Sequence, residues 1–223
     1  MLKIQGFTFN FFYERCYVAW DGTKECVIVD PGCERTDEKT ELWDFVDNEG
    51  LKPVCILLTH GHLDHVYGVK ATMERYGIPA MLDPREKDIL ENFNSVYSRL
   101  GVARPDDFEF TPVNDGDILK FGDSEITVIS TPGHSSGGVC YYIEREHVIF
   151  TGDTLFAGSV GRTDNDFASL DQLLSSLRDR LMKLDGDVDV LPGHGPATSI
   201  ARERMTNPFI YDDCSPQDFI QDD

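Results

Sequence analysis

Basic charge is what this chain of 223 residues has least of: 20 Lys and Arg stand against 40 Asp and Glu, a formal net charge of −20. A chain this acidic repels phosphate backbones, whose binding depends on Lys and Arg releasing counterions, so nucleic acids and anionic membranes are excluded as partners. The six cysteines, Cys16, Cys26, Cys33, Cys55, Cys140 and Cys214, form no C-x-x-C pair. Scattered in this way they read as free thiols of a reducing compartment, packed as small hydrophobic residues. No apolar run approaches the roughly 18 residues of a membrane helix. The opening Met1 to Thr8 lacks the apolar stretch of a secretion signal, so the expected location is the cytoplasm. No segment has the composition of a linker; the acidic end (Asp212, Asp213, Asp218, Asp222, Asp223) is expected to be a solvated terminus. What remains is ample core material, 40% hydrophobic and 11% aromatic, which excludes a disordered chain and predicts one domain over residues 1–223.

Short alternating or wholly apolar runs predict strands over Leu2 to Phe9, Phe12 to Trp20 and Cys26 to Asp30, with Asp21-Gly22 as a turn. Helical spacing follows from Thr36 to Glu49, stopping at Gly50. A buried strand, Val54 to Leu58, precedes a helix from about His65 to Tyr76, a strand Ala80 to Leu82 and a polar helical stretch from Pro84 to about Arg99. Hairpins are expected around Gly122-Asp123 and at Glu144 to Glu146. Leu170 to Leu184 carries leucines on one helical face; Val188 to Leu191 is a last strand and Thr198 to Met205 a short helix. Two runs of strands, each followed by helices, predict a pseudo-symmetric sandwich with helices outside. The aromatics Phe7, Phe9, Phe11, Phe12 and Tyr13 are expected in the core.

The chemistry concentrates in Thr59-His60-Gly61-His62-Leu63-Asp64-His65. It packs four potential metal ligands, His60, His62, Asp64 and His65, into six positions directly after a buried strand. Imidazole and carboxylate together suit zinc or another borderline first-row metal. Three later pieces also sit at predicted strand ends: Thr131-Pro132-Gly133-His134, Thr151-Gly152-Asp153-Thr154 and Leu191-Pro192-Gly193-His194-Gly195. Ligands at the ends of neighbouring strands can meet over one edge of a sheet.

In these motifs and their order, from Val29-Asp30-Pro31-Gly32 to His194, the sequence resembles the metallo-β-lactamase superfamily. The resemblance implies an α+β fold, a four-layer αββα sandwich of two mixed β-sheets. It implies one metal held by His60, His62 and His134 and a second held by Asp64, His65 and His194. Asp153 would bridge both, and Asp30 would support the ligands from behind. The usual β-lactamase groups lack an Asp at the place of Asp153, and flavodiiron oxidoreductases place Glu where His62 stands. The chain looks most like short glyoxalase II proteins, hydrolases of hydroxyacyl-glutathione, through Gly152 to Phe156, Gly161-Arg162-Thr163-Asp164 and the ending through Asn207-Pro208-Phe209. It departs from them where Gly195-Pro196 replaces a Tyr, where Asp164 replaces another, and in having only 29 residues after His194. The C-terminal helical domain that grips glutathione is therefore not expected.

The expected cofactors are two divalent ions, zinc first, with iron or manganese accepted by the same donors. Two cations sharing an oxygen bring bound water to hydroxide near pH 7, with Asp64 orienting it. Of six histidines only His147 lies outside the implied ligand set, and it is expected at the surface. A thiolate can leave without a spare acid, so the expected substrate is a small-molecule thioester rather than a phosphodiester. Arg162 is the candidate clamp for a substrate carboxylate, or else a salt-bridge residue. The alternative is a mononuclear iron persulfide dioxygenase on the same scaffold. A phosphodiesterase or nuclease and a non-catalytic metal-binding module rank lower. The sequence leaves the oligomeric state open.

Overall fold

A computed structural model describes residues 1–92 and 102–210. Twelve strands form two six-stranded mixed sheets. The first takes β1 (Lys3–Phe9), β2 (Glu14–Trp20), β3 (Glu25–Val29), β4 (Lys52–Leu57), β5 (Ala80–Leu82) and β6 (Phe110–Pro112), in that order. The second takes β7 (Ile118–Phe121), β8 (Ser124–Ser130), β9 (Val139–Ile143) and β10 (Val148–Gly152) as an antiparallel meander. Next to β10 lies β13 (Asp189–Pro192), parallel to it, and then β14 (Thr198–Ser199). A small hairpin, β11 (Leu155–Phe156) with β12 (Ser159–Val160), stands apart.

Alternation along the strands builds the layers. In β2, Tyr17 and Ala19 face the core between the sheets, while Cys16, Val18 and Trp20 face outward under α1 (Thr36–Asn48). In β9, Val139, Tyr141 and Ile143 point inward, and Cys140 and Tyr142 face the other outer layer. Each sheet therefore buries both faces, which needs helices on both outer sides. Leu42 and Val46 of α1 and Val69 of α3 (Val69–Tyr76) cover one sheet, after the single turn α2 (Leu63–Val66). Leu173 and Leu177 of α5 (Leu170–Asp179) and Ile200 of α6 (Ile200–Thr206) cover the other. A further short helix, α4 (Lys87–Glu91), follows a 3-10 turn at Pro84–Glu86. The expected four-layer αββα sandwich is present.

Several elements differ from expectation for identifiable reasons. The helix read from His65 to Tyr76 is two helices, because the carbonyl of Asp64 is taken by the Asn10 carboxamide at 2.8 Å and Gly68 N–H donates to Pro31 O at 2.8 Å instead. Leu170 to Leu184 breaks after Asp179 into a 3-10 turn, Leu181–Lys183. Thr198 pairs in β14 before the helix starts at Ile200, with Ser199 capping it. Strand β6 was not foreseen, since Phe-Thr-Pro is short and its proline tolerates only a sheet edge. The stretch from Pro84 to Arg99 is helical to Glu91, and its remainder past Asn92 lies outside the described residues, as do Cys214 and the acidic end. The other five cysteines are free, four of them buried.

The aromatic run divides. Phe7 and Phe9 are in the core, but Phe11 is 82% and Tyr13 72% exposed. Positive φ at Asn10 (52°) and Tyr13 (58°) ends the alternation, so the loop turns these two rings out while Phe12 packs with Leu63 and Tyr67.

Candidate metal centre

Five strands, β3, β4, β8, β10 and β13, run in the same sense and end on one edge of the sandwich, where Asp30, the His60–His65 loop, His134, Asp153 and His194 follow them. The ligand atoms of His60, His62 and His134 lie within 4.8 Å of one another, and so do those of Asp64, His65 and His194. Asp153 lies between the groups. Its Oδ2 is 3.5 Å from His134 Nε2 and 3.6 Å from His194 Nε2, and its Oδ1 is 3.4 Å from His65 Nε2. Gly193 permits this approach, because a Cβ there would collide with Asp153 Oδ1 and the His65 ring.

Four imidazoles are aimed by an oxygen at Nδ1. His60 meets Thr59 Oγ1 at 3.0 Å, His65 meets Asp30 Oδ2 at 3.1 Å, His134 meets Arg162 O at 2.8 Å and His194 meets Phe12 O at 3.1 Å. Each partner leaves Nε2 directed inward, the arrangement by which metal-binding histidines are fixed. Asp30 works twice: besides holding His65 it accepts from Thr59 N–H at 2.8 Å and Thr59 Oγ1 at 2.6 Å, and so steadies the residue that aims His60.

The two groups differ electrostatically. Burial, together with the neighbouring imidazoles, holds His60 well below the ordinary histidine range. Burial and His134 bring His62 to about 3. Both shifts favour the uncharged ring. Burial would also lower His65 and His194, but the carboxylates of Asp153 and Asp64 outweigh it and raise both. Asp64 and Asp153 are lowered in turn by those histidines, against the upward push of burial. His60 Nε2, His65 Nε2 and Asp153 Oδ1 are buried without a hydrogen-bond partner. Such atoms cost about 1–3 kcal/mol each when left unsatisfied. A convergent set of imidazoles, carboxylates and orphaned atoms fits one or two divalent cations.

Arg162 touches the site through its carbonyl only. Its side chain is 83% exposed, and its guanidinium is engaged by Asp164 at 2.7 and 3.1 Å. Of the two readings of Arg162, the geometry favours the salt bridge. His147 sits at the turn between β9 and β10, at the far end of the strands, against Asp187 at 3.0 Å. Sequence reasoning missed Glu14, fully buried at the start of β2, whose backbone pairs with His194. Burial pushes its carboxyl well above the usual range, opposed by His65 and reinforced by Asp30, Asp64 and Asp153. It also missed Asn10, whose carboxamide donates to Asp64 O, and Glu86, whose carboxylate accepts from Gly61 N–H and Gly137 N–H.

Residues 10–194 match the family model of the metallo-beta-lactamase superfamily, and the chain belongs to that superfamily. It is a metal-dependent hydrolase with a His/Asp metal-binding cluster. Among characterised relatives, it is 32% identical to "Hydroxyacylglutathione hydrolase GloC" of Haemophilus influenzae over 89% of this chain and 93% of that one. It is 35% identical to "Probable metallo-hydrolase YqgX" of Bacillus subtilis over 83% and 87%. Of solved structures, the BLEG-1 B3 metallo-beta-lactamase superposes with a TM-score of 0.83 at 33% identity, covering 93% of this chain and 99% of that one. TTHA1623 in a di-iron-bound form gives 0.81 at 35%, covering 92% and 99%. ETHE1 from Myxococcus xanthus gives 0.75 at 25%, covering 92% and 83%.

Proposed function

We propose that the protein is a dinuclear thioesterase of the glyoxalase II kind, hydrolysing a small hydroxyacyl thioester with zinc as the first candidate metal. His60, His62 and His134 would hold one ion and Asp64, His65 and His194 the other, with Asp153 shared. Bound cations of this type supply a nucleophilic water at neutral pH and polarise the carbonyl under attack. The chain's own contribution is orientation. The Nδ1 partners fix the imidazoles, and the carboxylate of Asp64, held low by His65 and His194, would accept a hydrogen bond from the attacking water or hydroxide and so direct its oxygen at the carbonyl carbon.

The observation that carries the thioester reading is the position of the sixth histidine. Five histidines are taken up in the cluster, and His147 lies at the opposite end of the sheet. An alkoxide leaving group calls for a proton donor, whereas a thiolate of pKa about 8.5 leaves unprotonated. The acidic chain, at −20, also disfavours polyanionic phosphodiesters. The likeness to GloC points the same way. A cytoplasmic location fits this reading, and no helix among the described residues is long and apolar enough to cross a membrane.

The second reading is a mononuclear iron persulfide dioxygenase on the same scaffold; the likeness to a structure in a di-iron-bound form supports iron as a metal for this donor set, though not the mononuclear site. The test is a substrate panel on metal-loaded protein: lactoyl-glutathione and simpler acyl thioesters, a phosphodiester, a β-lactam, and a persulfide with oxygen electrode readout. Thioester turnover well above every other arm is expected. Oxygen consumption on the persulfide without thioester turnover would replace the proposal.

A further inference from the structure

A chain this rich in acids has glutamates to spare for its surface, yet Glu86 is fully buried. It sits where the turn after β5 enters α4, and its carboxylate spans two loops. Oε2 accepts from Gly61 N–H at 2.7 Å, between His60 and His62, and Oε1 accepts from Gly137 N–H, three residues after His134. One loop follows a strand of the first sheet and the other a strand of the second. The single carboxylate thus ties together the two chain segments that carry His60, His62 and His134. His62 Nδ1 and His134 Nε2 lie 2.8 Å apart across that tie.

Two features set this tie apart from ordinary packing. Gly61 and Gly137 both lack a side chain where Glu86 arrives; a Cβ on Gly137 would press on Glu86 Oε1 and Asp83 Oδ1 at 3.0 and 2.9 Å. Both acceptors go to backbone N–H groups of ligand-bearing loops. Two other buried glutamates, by contrast, spend most of their bonds locally. Glu38 caps its own helix through Glu34 and Arg35 N–H and reaches only Asn10 beyond it. Glu203 holds Thr198, Asn207 and Gly158.

We propose that Glu86 is a positioning residue that sets the spacing of the His60/His62 loop against the His134 loop, and thereby the affinity of the three-histidine metal site. The inference rests on the ligand assignment above and not on the thioester reading. A carboxylate is required because it offers an acceptor to each loop. Gln keeps one acceptor and presents an N–H₂ to the other loop's N–H, so one tie is lost.

The experiment is a site-resolved zinc titration of full-length metal-free protein against a chromophoric chelator. It compares wild type, Glu86→Gln and His134→Ala, with the thermal midpoint of each metal-free chain alongside. Glu86→Gln should weaken one of the two zinc sites by about 10- to 100-fold, the size typical for lost support of a metal ligand. It should leave the other site, and most of the metal-free midpoint, in place. His134→Ala should abolish the same site. If His134→Ala binds both ions as wild type does, the ligand assignment falls. If only His134→Ala loses a site while Glu86→Gln binds both ions normally, the positioning role alone falls. Should Glu86→Gln not fold, amide exchange on the wild-type metal-free chain decides. Slow exchange at Gly61 and Gly137 supports the tie, and exchange as fast as at the exposed Phe11 overturns it.

Discussion

The two ends of the sandwich handle buried polar groups in opposite ways. At the end remote from the ligand cluster, Asp21 follows β2 and is 6% exposed. It takes Thr23 N–H at 2.9 Å, Thr23 Oγ1 at 2.6 Å, Asp123 N–H at 2.7 Å and Ser124 Oγ at 3.0 Å, tying the β2–β3 turn to the β7–β8 turn. Every demand of that carboxylate is met by protein. At the other end, the Nδ1 side of four histidines is satisfied just as fully, yet the inward atoms of His60, His65 and Asp153 meet no hydrogen-bonding partner. Behind four of the histidines support is complete, while in front of them three inward atoms are left without a partner. The first end is built for stability, and the second keeps its polar atoms for something that binds.

Breaking the binding end should have the largest effect. Asp153 faces both groups, so Asp153→Ala should reduce metal content from about two to about one per chain. It should lower kcat by more than the roughly 100-fold typical of a lost supporting contact. Elemental analysis and steady-state kinetics check this, and two metals with wild-type kcat would count against the shared position. Asp30 stands one bond further back, so Asp30→Asn should cost about 10- to 100-fold in metal affinity by chelator competition, with both sites still occupied at saturation.

Breaking the satisfied end should move stability and leave the metals alone. Asp21→Ala should cost about 2 kcal/mol in denaturant unfolding, from lost hydrogen bonds to a charged acceptor, with unchanged metal content. Burial alone would raise this carboxyl, but the bonds from Thr23, Asp123 and Ser124 bring it down to about 2. A group depressed in the fold contributes fully above its unfolded pKa of about 4, and that contribution is lost as pH falls towards 2. Metal-free wild type should therefore lose more stability between pH 4 and 2 than metal-free Asp21→Asn. Equal slopes would remove Asp21 from the account. The smallest effect is expected at Arg162. Since Asp164 already occupies its exposed guanidinium, Arg162→Ala should change KM for an anionic thioester by less than about threefold. A larger rise would restore it as a substrate clamp.

The same contrast explains what the sequence made legible. His60, His62, Asp64 and His65 share one loop because β4 delivers a single turn to the edge, and their density in the chain stands out from any core-filling pattern. His134, Asp153 and His194 come one from each of three strands and are recognisable only by order. Their supports were largely invisible, since Arg162 O, Phe12 O and the N–H groups of Gly61 and Gly137 are backbone atoms that carry no residue signature. Glu86 lies in Pro-Arg-Glu-Lys-Asp, which reads as a solvated charged stretch, and Glu14 opens a strand beside Arg15 as an exposed residue would. The Asn10 contact that splits α2 from α3 spans 54 positions in sequence, beyond the reach of any local pattern. Layer alternation, by contrast, is a period-2 property of each strand and carried the fold.

The most direct test is the number of divalent metal ions bound per chain by wild-type protein, measured by elemental analysis after saturation and removal of free metal. Two ions per chain, falling to about one in His134→Ala, is the predicted result. A saturated wild-type chain that holds none, or whose content is indifferent to His134, would contradict the claim that this end of the sandwich is built for metal.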